Sequence, residues 1–139
     1  MRIIHTSDWH LGRRFGPHSL LSDQSAFIDW LVMHAKETAA ELVVIAGDIF
    51  DRAIPPQDAV ILYRDAIRRL AELNLRVAVI AGNHDSPERI ALYDRLLDKV
   101  GVYVRGGYQN AGSVVTIELP DGPLDLVLLP YLDPQAAPD

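Results

Sequence analysis

The chain has 139 residues, 49% of them hydrophobic, and a net charge of −6. That is room for one domain with a real core, and it excludes a disordered segment. The absence of cysteine excludes disulfides and thiolate metal centres, and no apolar run is long enough to cross a bilayer.

The opening "MRIIHTSD" turns polar too soon for a secretory signal, so a cytoplasmic location is the expectation. "RIIHTSD" reads as a strand ending at Asp8, "ELVVIAGD" as a strand ending at Asp48, and "RVAVIAGN" as a strand ending at Asn83. Short apolar, β-branched runs of this kind suit strands buried on both faces. Between the first two, Phe27, Ile28, Leu31, Val32, Ala35 and Ala39 form a helical stripe over 21–40. Between the second and third, Ala59, Tyr63, Ala66, Ile67, Leu70 and Leu73 form another over 57–73, after Pro55 and Pro56. Val60, Ile61 and Leu62 widen that apolar face; deeper burial within the subunit is the expectation, contact with a second copy the alternative. Ser86 and Pro87 predict an N-cap and first position for a third helix running to about 98. Beyond it "VYVRGG", "SVVTIELPDG" and "LDLVLLPY" read as strands without helices, with a hairpin at "LPDGPL". The expected fold is α/β: a parallel sheet of three strands in βαβ units, then a β-rich segment from about Val102.

In such a sheet, ligands gather at the carboxyl ends of the strands. Those ends carry Asp8 with His10, Asp48 with Asp51, and Asn83 with His84 and Asp85. Singly, each pattern is also what a turn or a helix cap looks like. Three in succession on one side of a sheet point to a metal site. Carboxylate, imidazole and amide oxygen suit Mn, Fe or Zn. The glycines before Asp48 and Asn83 allow sharp turns and close backbone approach. Asp48 is central enough to bridge two cations, which can clamp the attacking and leaving oxygens of a phosphoester. His5 is expected to pack on its strand, His18 to be solvated, and His34 to be hydrogen-bonded structurally.

"SDWH", "GDIFD" and "GNHD" resemble the first three motifs of the calcineurin-like metallophosphoesterases. The surrounding "TSDWHLGRR", "AGDIFDRAIPP", "AGNHDSPERI" and "LPYLDP" are similar to the SbcD-type nuclease branch of that family. The resemblance implies a metallophosphoesterase-like sheet and two divalent ions, most simply Mn²⁺. Asp8 and His10 would hold one ion, Asp48 would bridge, and Asn83 would hold the second. His84 would touch the scissile phosphate and assist the leaving group, with Asp51 orienting it. The family completes its site with histidines after this motif, and no histidine follows His84. Residues 1–139 are therefore expected to be the N-terminal, incomplete part of a nuclease domain, inactive alone.

The branch further implies DNA ends and hairpins as substrate, in DNA repair and recombination, with an SbcC-type ATPase and a second nuclease copy as partners. Arg13, Arg14, Arg52 and Arg89 flank the expected metal loops and are the candidate DNA contacts. Arg64, Arg68 and Arg69 are expected to be solvated. Trp9 would either be buried beside the metal or stack on a base. Two other readings stay open: a phosphoesterase acting on small phosphodiesters or phosphoproteins, and a non-catalytic interaction fragment.

Overall fold

The computed structural model describes residues 1–138. Its centre is a parallel sheet of four strands, β1 (Ile3–Thr6), β4 (Leu42–Ala46), β5 (Arg76–Ile80) and β6 (Val102–Arg105), in that spatial order. A small hairpin of β2 (Arg14–Phe15) and β3 (His18–Ser19) follows β1. The crossover helices are α1 (Leu21–Glu37) and α2 (Gln57–Glu72). Asp23 and Asp58 lie in their first turns, and Lys36 and Arg69 in their last, matching the helix dipoles. An antiparallel hairpin of β7 (Ser113–Leu119) and β8 (Gly122–Leu128) turns at Pro120-Asp121, where the sequence predicts it.

Strand alternation sorts the core into two layers. Val43, Ile45, Val77, Val79, Val102 and Val104 face the helices and pack with Ile28, Leu31 and Leu70. Leu42 and Ala78 face the other way, onto Val115, Ile117, Leu119 and Leu128 of the hairpin. Thus β4 and β5 are covered on both faces, as their apolar runs require.

Five expectations are corrected. The parallel sheet has four strands, because β6 joins it instead of opening the β-rich segment. The single third helix is two short ones, α3 (Pro87–Ile90) and α4 (Asp94–Asp98), broken where Tyr93 takes a φ of +66°. Ser86 precedes α3 but gives no side-chain cap; its hydroxyl donates to Glu88 instead. β1 is an edge strand: His5 lies beside Val44 on the hairpin face, where the hairpin does not reach, and is exposed. His18 is exposed as expected, and His34 is held by stacking on Trp30 at 5.0 Å. Val60 and Ile61 are also exposed, against the expectation of burial, while Leu62 is half-buried. Among the described residues, no helix is long and apolar enough to cross a membrane.

The two-layer core predicts unequal costs along the hairpin. Ile117, fully buried, should lose about 2–5 kcal/mol on truncation to alanine. Val127, on the solvent face, should change by about 0.5 kcal/mol or less. Urea unfolding of Ile117→Ala and Val127→Ala measures both; equal losses would contradict the packing of the hairpin on the sheet.

Candidate metal centre

Backbone hydrogen bonds carry the parallel pairing past the strand ends. Asp8 N–H donates to Gly47 O (3.1 Å), His10 N–H to Asp48 O (2.9 Å) and Leu11 N–H to Ile49 O (2.8 Å). The loop after β4 is tied in turn to the loop after β5. The buried Asp85 carboxylate accepts from Ile49 N–H (3.1 Å), Phe50 N–H (2.9 Å) and Gly82 N–H (2.8 Å). His84 N–H donates to Asp48 Oδ1 at 3.0 Å. Gly47 and Gly82 meet at the centre: a Cβ on Gly47, whose φ is +87°, would lie 2.9 Å from Gly82 Cα. A Cβ on Gly82 would overlap the Asp48 backbone and carboxylate. Close approach of these two loops therefore explains both glycines.

Three expected ligands sit in left-handed backbone: Asp8 (φ +57°), His10 (φ +44°) and Asp48 (φ +50°). Such conformations are costly for residues with a Cβ and persist where surrounding structure over-determines them, often at functional sites. Their side chains converge. His10 Nε2 lies 3.7 Å from Asp8 Oδ1 and 3.9 Å from Asp48 Oδ2. The His84 ring meets His10 edge-on, with centroids 4.9 Å apart. His10, Asp48 and His84 each bring a donor atom within 4.8 Å of the others. His10 Nδ1 is buried without a hydrogen-bond partner. Two imidazoles, an inner carboxylate and an outer one fit a divalent ion of intermediate hardness.

Asn83 is exposed on the same loop, between Gly82 and His84. Asp51 differs from expectation in the atom it presents. Its backbone carbonyl lies 2.9 Å from His84 Nδ1, while its carboxylate is turned toward His10 Nδ1 (3.7 Å) and Arg13 Nε (3.9 Å). A carbonyl only accepts, so this hydrogen bond puts a proton on Nδ1 and leaves Nε2 as the ring nitrogen of His84 not taken up by Asp51. Trp9 is buried: its indole donates to Thr6 Oγ1 (2.9 Å) and packs edge-on to Phe27, so it belongs to the core and is not offered to a base.

Arg13, Arg14, Arg52 and Arg89 are all exposed. Arg13 approaches Asp51, and Arg14 donates to the Pro17 carbonyl within the β2–β3 hairpin. Arg64 and Arg68 are exposed as expected, Arg68 while pairing with Asp65 and Glu72, and Arg69 is half-buried and pairs with Asp29 and Asp65. The Arg68 hydrogen bond holds the Asp65 carboxyl below its ordinary range.

Sequence reading does not single out two residues that hold these loops. Asp85 looks there like part of a turn. Gln24 falls on the α1 stripe with Phe27, Ile28 and Leu31, where a polar side chain is out of place; that is the available signal. Behind Asp85, Tyr63 packs edge-on to Phe50 at 5.4 Å. Burial, with the Asp85 charge adding, pushes its hydroxyl pKa upward and keeps the phenol neutral.

The model of the calcineurin-like phosphoesterase family matches residues 1–129, and the chain belongs to that family. The fold and the cluster of donors are those of a metal-dependent phosphoesterase.

The Asp85 tie generates a prediction. Asp85→Ala would leave the buried Ile49 and Phe50 N–H groups and the half-buried Gly82 N–H unpaired, each hydrogen bond to a charged group being worth about 1.5–3 kcal/mol. Its unfolding free energy should fall by about 3 kcal/mol or more, and the Ile49 and Phe50 amides should exchange faster. Unchanged exchange at those two amides would show that Asp85 does not hold the loop.

Proposed function

We propose that this chain is the metal-binding part of an SbcD-type nuclease that hydrolyses phosphodiesters at DNA ends and hairpins, in repair and recombination. The observation that carries the reading is the convergence of Asp8, His10, Asp48 and His84 from three adjacent strand ends. Asp8, His10, Asp48 and Asn83 would hold two divalent cations, Mn²⁺ being the proposed metal. When bound, such ions supply Lewis-acid polarisation of the phosphoryl oxygens and lower the pKa of water.

The chain's own groups do the rest. The Asp51 carbonyl fixes the His84 ring through Nδ1–H, so in the imidazolium form Nε2–H can give its proton to the departing oxygen, leaving the neutral ring, or can stabilise that oxygen's charge. Asp48 accepts from His84 N–H while its other oxygen faces His10, so one carboxylate couples the two loops. DNA as substrate is supported by the contexts of Trp9, "NHDSPER" and "LPYLDP" and by the exposed Arg13, Arg14, Arg52 and Arg89. The same contexts support an SbcC-type ATPase as partner. Exposed Val60 and Ile61 on α2 support contact with a second nuclease copy. The net charge of −6 favours one other reading, a phosphodiesterase for small esters.

Mn²⁺-dependent cutting of a DNA hairpin by the full-length protein, abolished by chelator, tests the proposal; hydrolysis of small phosphodiesters by that protein with no action on DNA would favour the other reading. Asp48→Ala should weaken Mn²⁺ binding more than His10→Ala, because a bridging carboxylate serves both ions; equal losses in calorimetry would argue against a bridge. In the full-length protein, His84→Ala should slow single-turnover cleavage about 10²–10⁴-fold with Mn²⁺ content unchanged. A variant that loses a metal makes His84 a ligand; a variant that cuts normally removes it from catalysis.

A further inference from the structure

Gln24, in the first turns of α1, reaches the loop that carries His10. Its Nε2 donates to the Trp9 carbonyl at 3.1 Å and to the His10 carbonyl at 2.7 Å. Its Oε1 accepts from Gly12 N–H at 3.0 Å. One amide thus satisfies three main-chain groups in four residues, with both of its donors and its acceptor directed at the same turn. Those groups need a partner. His10 (φ +44°) and Gly12 (φ +88°) both lie in the left-handed region; the continued sheet pairing takes up His10 N–H and Leu11 N–H, and Arg13 N–H reaches the His10 carbonyl, but the Trp9 carbonyl and the Gly12 N–H are met by Gln24. The turn is also wedged from below: Leu11 is fully buried, and a Cβ on Gly12 would lie 2.8 Å from Pro56 Cγ.

Nothing else from α1 does this by polar contact. Phe27, one turn later, touches Trp9 through its ring and fixes the position of the indole. It does not set the direction of the peptide units that follow. Gln24 does, since two carbonyls and an N–H leave little rotational freedom to residues 9–12. The ring of His10 leaves the backbone inside that clamp, and its Nε2 is the atom nearest Asp8 and Asp48.

We infer that Gln24 is a positioning residue of the metal centre: it holds the His10 peptide in its left-handed conformation and so aims the imidazole at the metal. The inference rests on the proposed role of His10 as a ligand. Residues that orient a metal ligand without touching the metal typically contribute about 10- to 100-fold in metal affinity. A glutamine that only capped or packed α1 would contribute to stability and leave affinity alone.

The test uses the 139-residue chain. Gln24→Met keeps an unbranched, helix-compatible side chain of similar length and removes all three hydrogen bonds. Ile28→Val, on the same helix and fully buried, is the control for a general loosening of α1. Two readouts are taken: the exchange rate of the Gly12 amide in the metal-free protein, and Mn²⁺ affinity by calorimetry. Gln24→Met should speed Gly12 exchange and weaken Mn²⁺ binding about 10- to 100-fold, whereas Ile28→Val should lower the urea midpoint with Mn²⁺ affinity unchanged. Unchanged affinity in Gln24→Met, unchanged Gly12 exchange, or an equal loss of affinity in Ile28→Val would each overturn the inference. Wild-type protein that takes up no Mn²⁺ would overturn the underlying metal reading as well, and the wild-type titration tells that failure from one confined to Gln24.

Discussion

The parallel register of β1, β4 and β5 does not stop where the strands stop. His10 N–H still pairs with Asp48 O, and Leu11 N–H with Ile49 O, beyond the last strand residues. Asp85 then anchors the second loop to the third through the Ile49 and Phe50 N–H groups. Everything at the site follows from this continued pairing. It holds Asp8, His10 and Asp48 in left-handed backbone, a conformation that none of them would keep in an unsupported turn. Loops are usually the mobile part of a fold; here they are extensions of the sheet.

The same pairing explains the division of labour among neighbouring groups. Trp9 and Leu11 are buried and alternate with exposed Asp8 and half-exposed His10, so the loop keeps a core face and a solvent face. The acidic residues on the solvent face would repel one another without a cation, and the orphaned Nδ1 of His10 sits among them. The metal reading accounts for the first feature, because a cation between Asp8 and Asp48 would offset that repulsion. A purely structural reading of these loops leaves three strained residues and their clustered carboxylates without a cause.

Much of this was legible in the sequence, for a topological reason. Consecutive parallel strands end on one side of a sheet, so Asp8, Asp48 and Asn83 had to share a face once their runs read as strands. The repeated glycine before Asp48 and Asn83 signalled the close contact that Gly47 and Gly82 make. What was not legible depended on geometry that periodicity does not carry. β6 reads as a strand but is not placed in the parallel sheet by its sequence, and the break at Tyr93 needs a left-handed residue that no glycine announced. Asp51 meets His84 through its carbonyl, a choice made by backbone direction and not by side-chain type. Gln24 and Asp85 act on the main chain of distant segments, so their partners carry no sequence signal at all.

The central claim is that these three loops, as the sheet arranges them, form a metal site at His10 and Asp48. Anomalous diffraction from crystals grown with Mn²⁺, recorded on both sides of the manganese edge, tests it most directly. The account predicts a manganese peak bonded to His10 Nε2 and an Asp48 carboxylate oxygen, with the loop backbone unchanged from the metal-free protein. Manganese bound elsewhere, or at these residues only after the loops have rearranged, would contradict it.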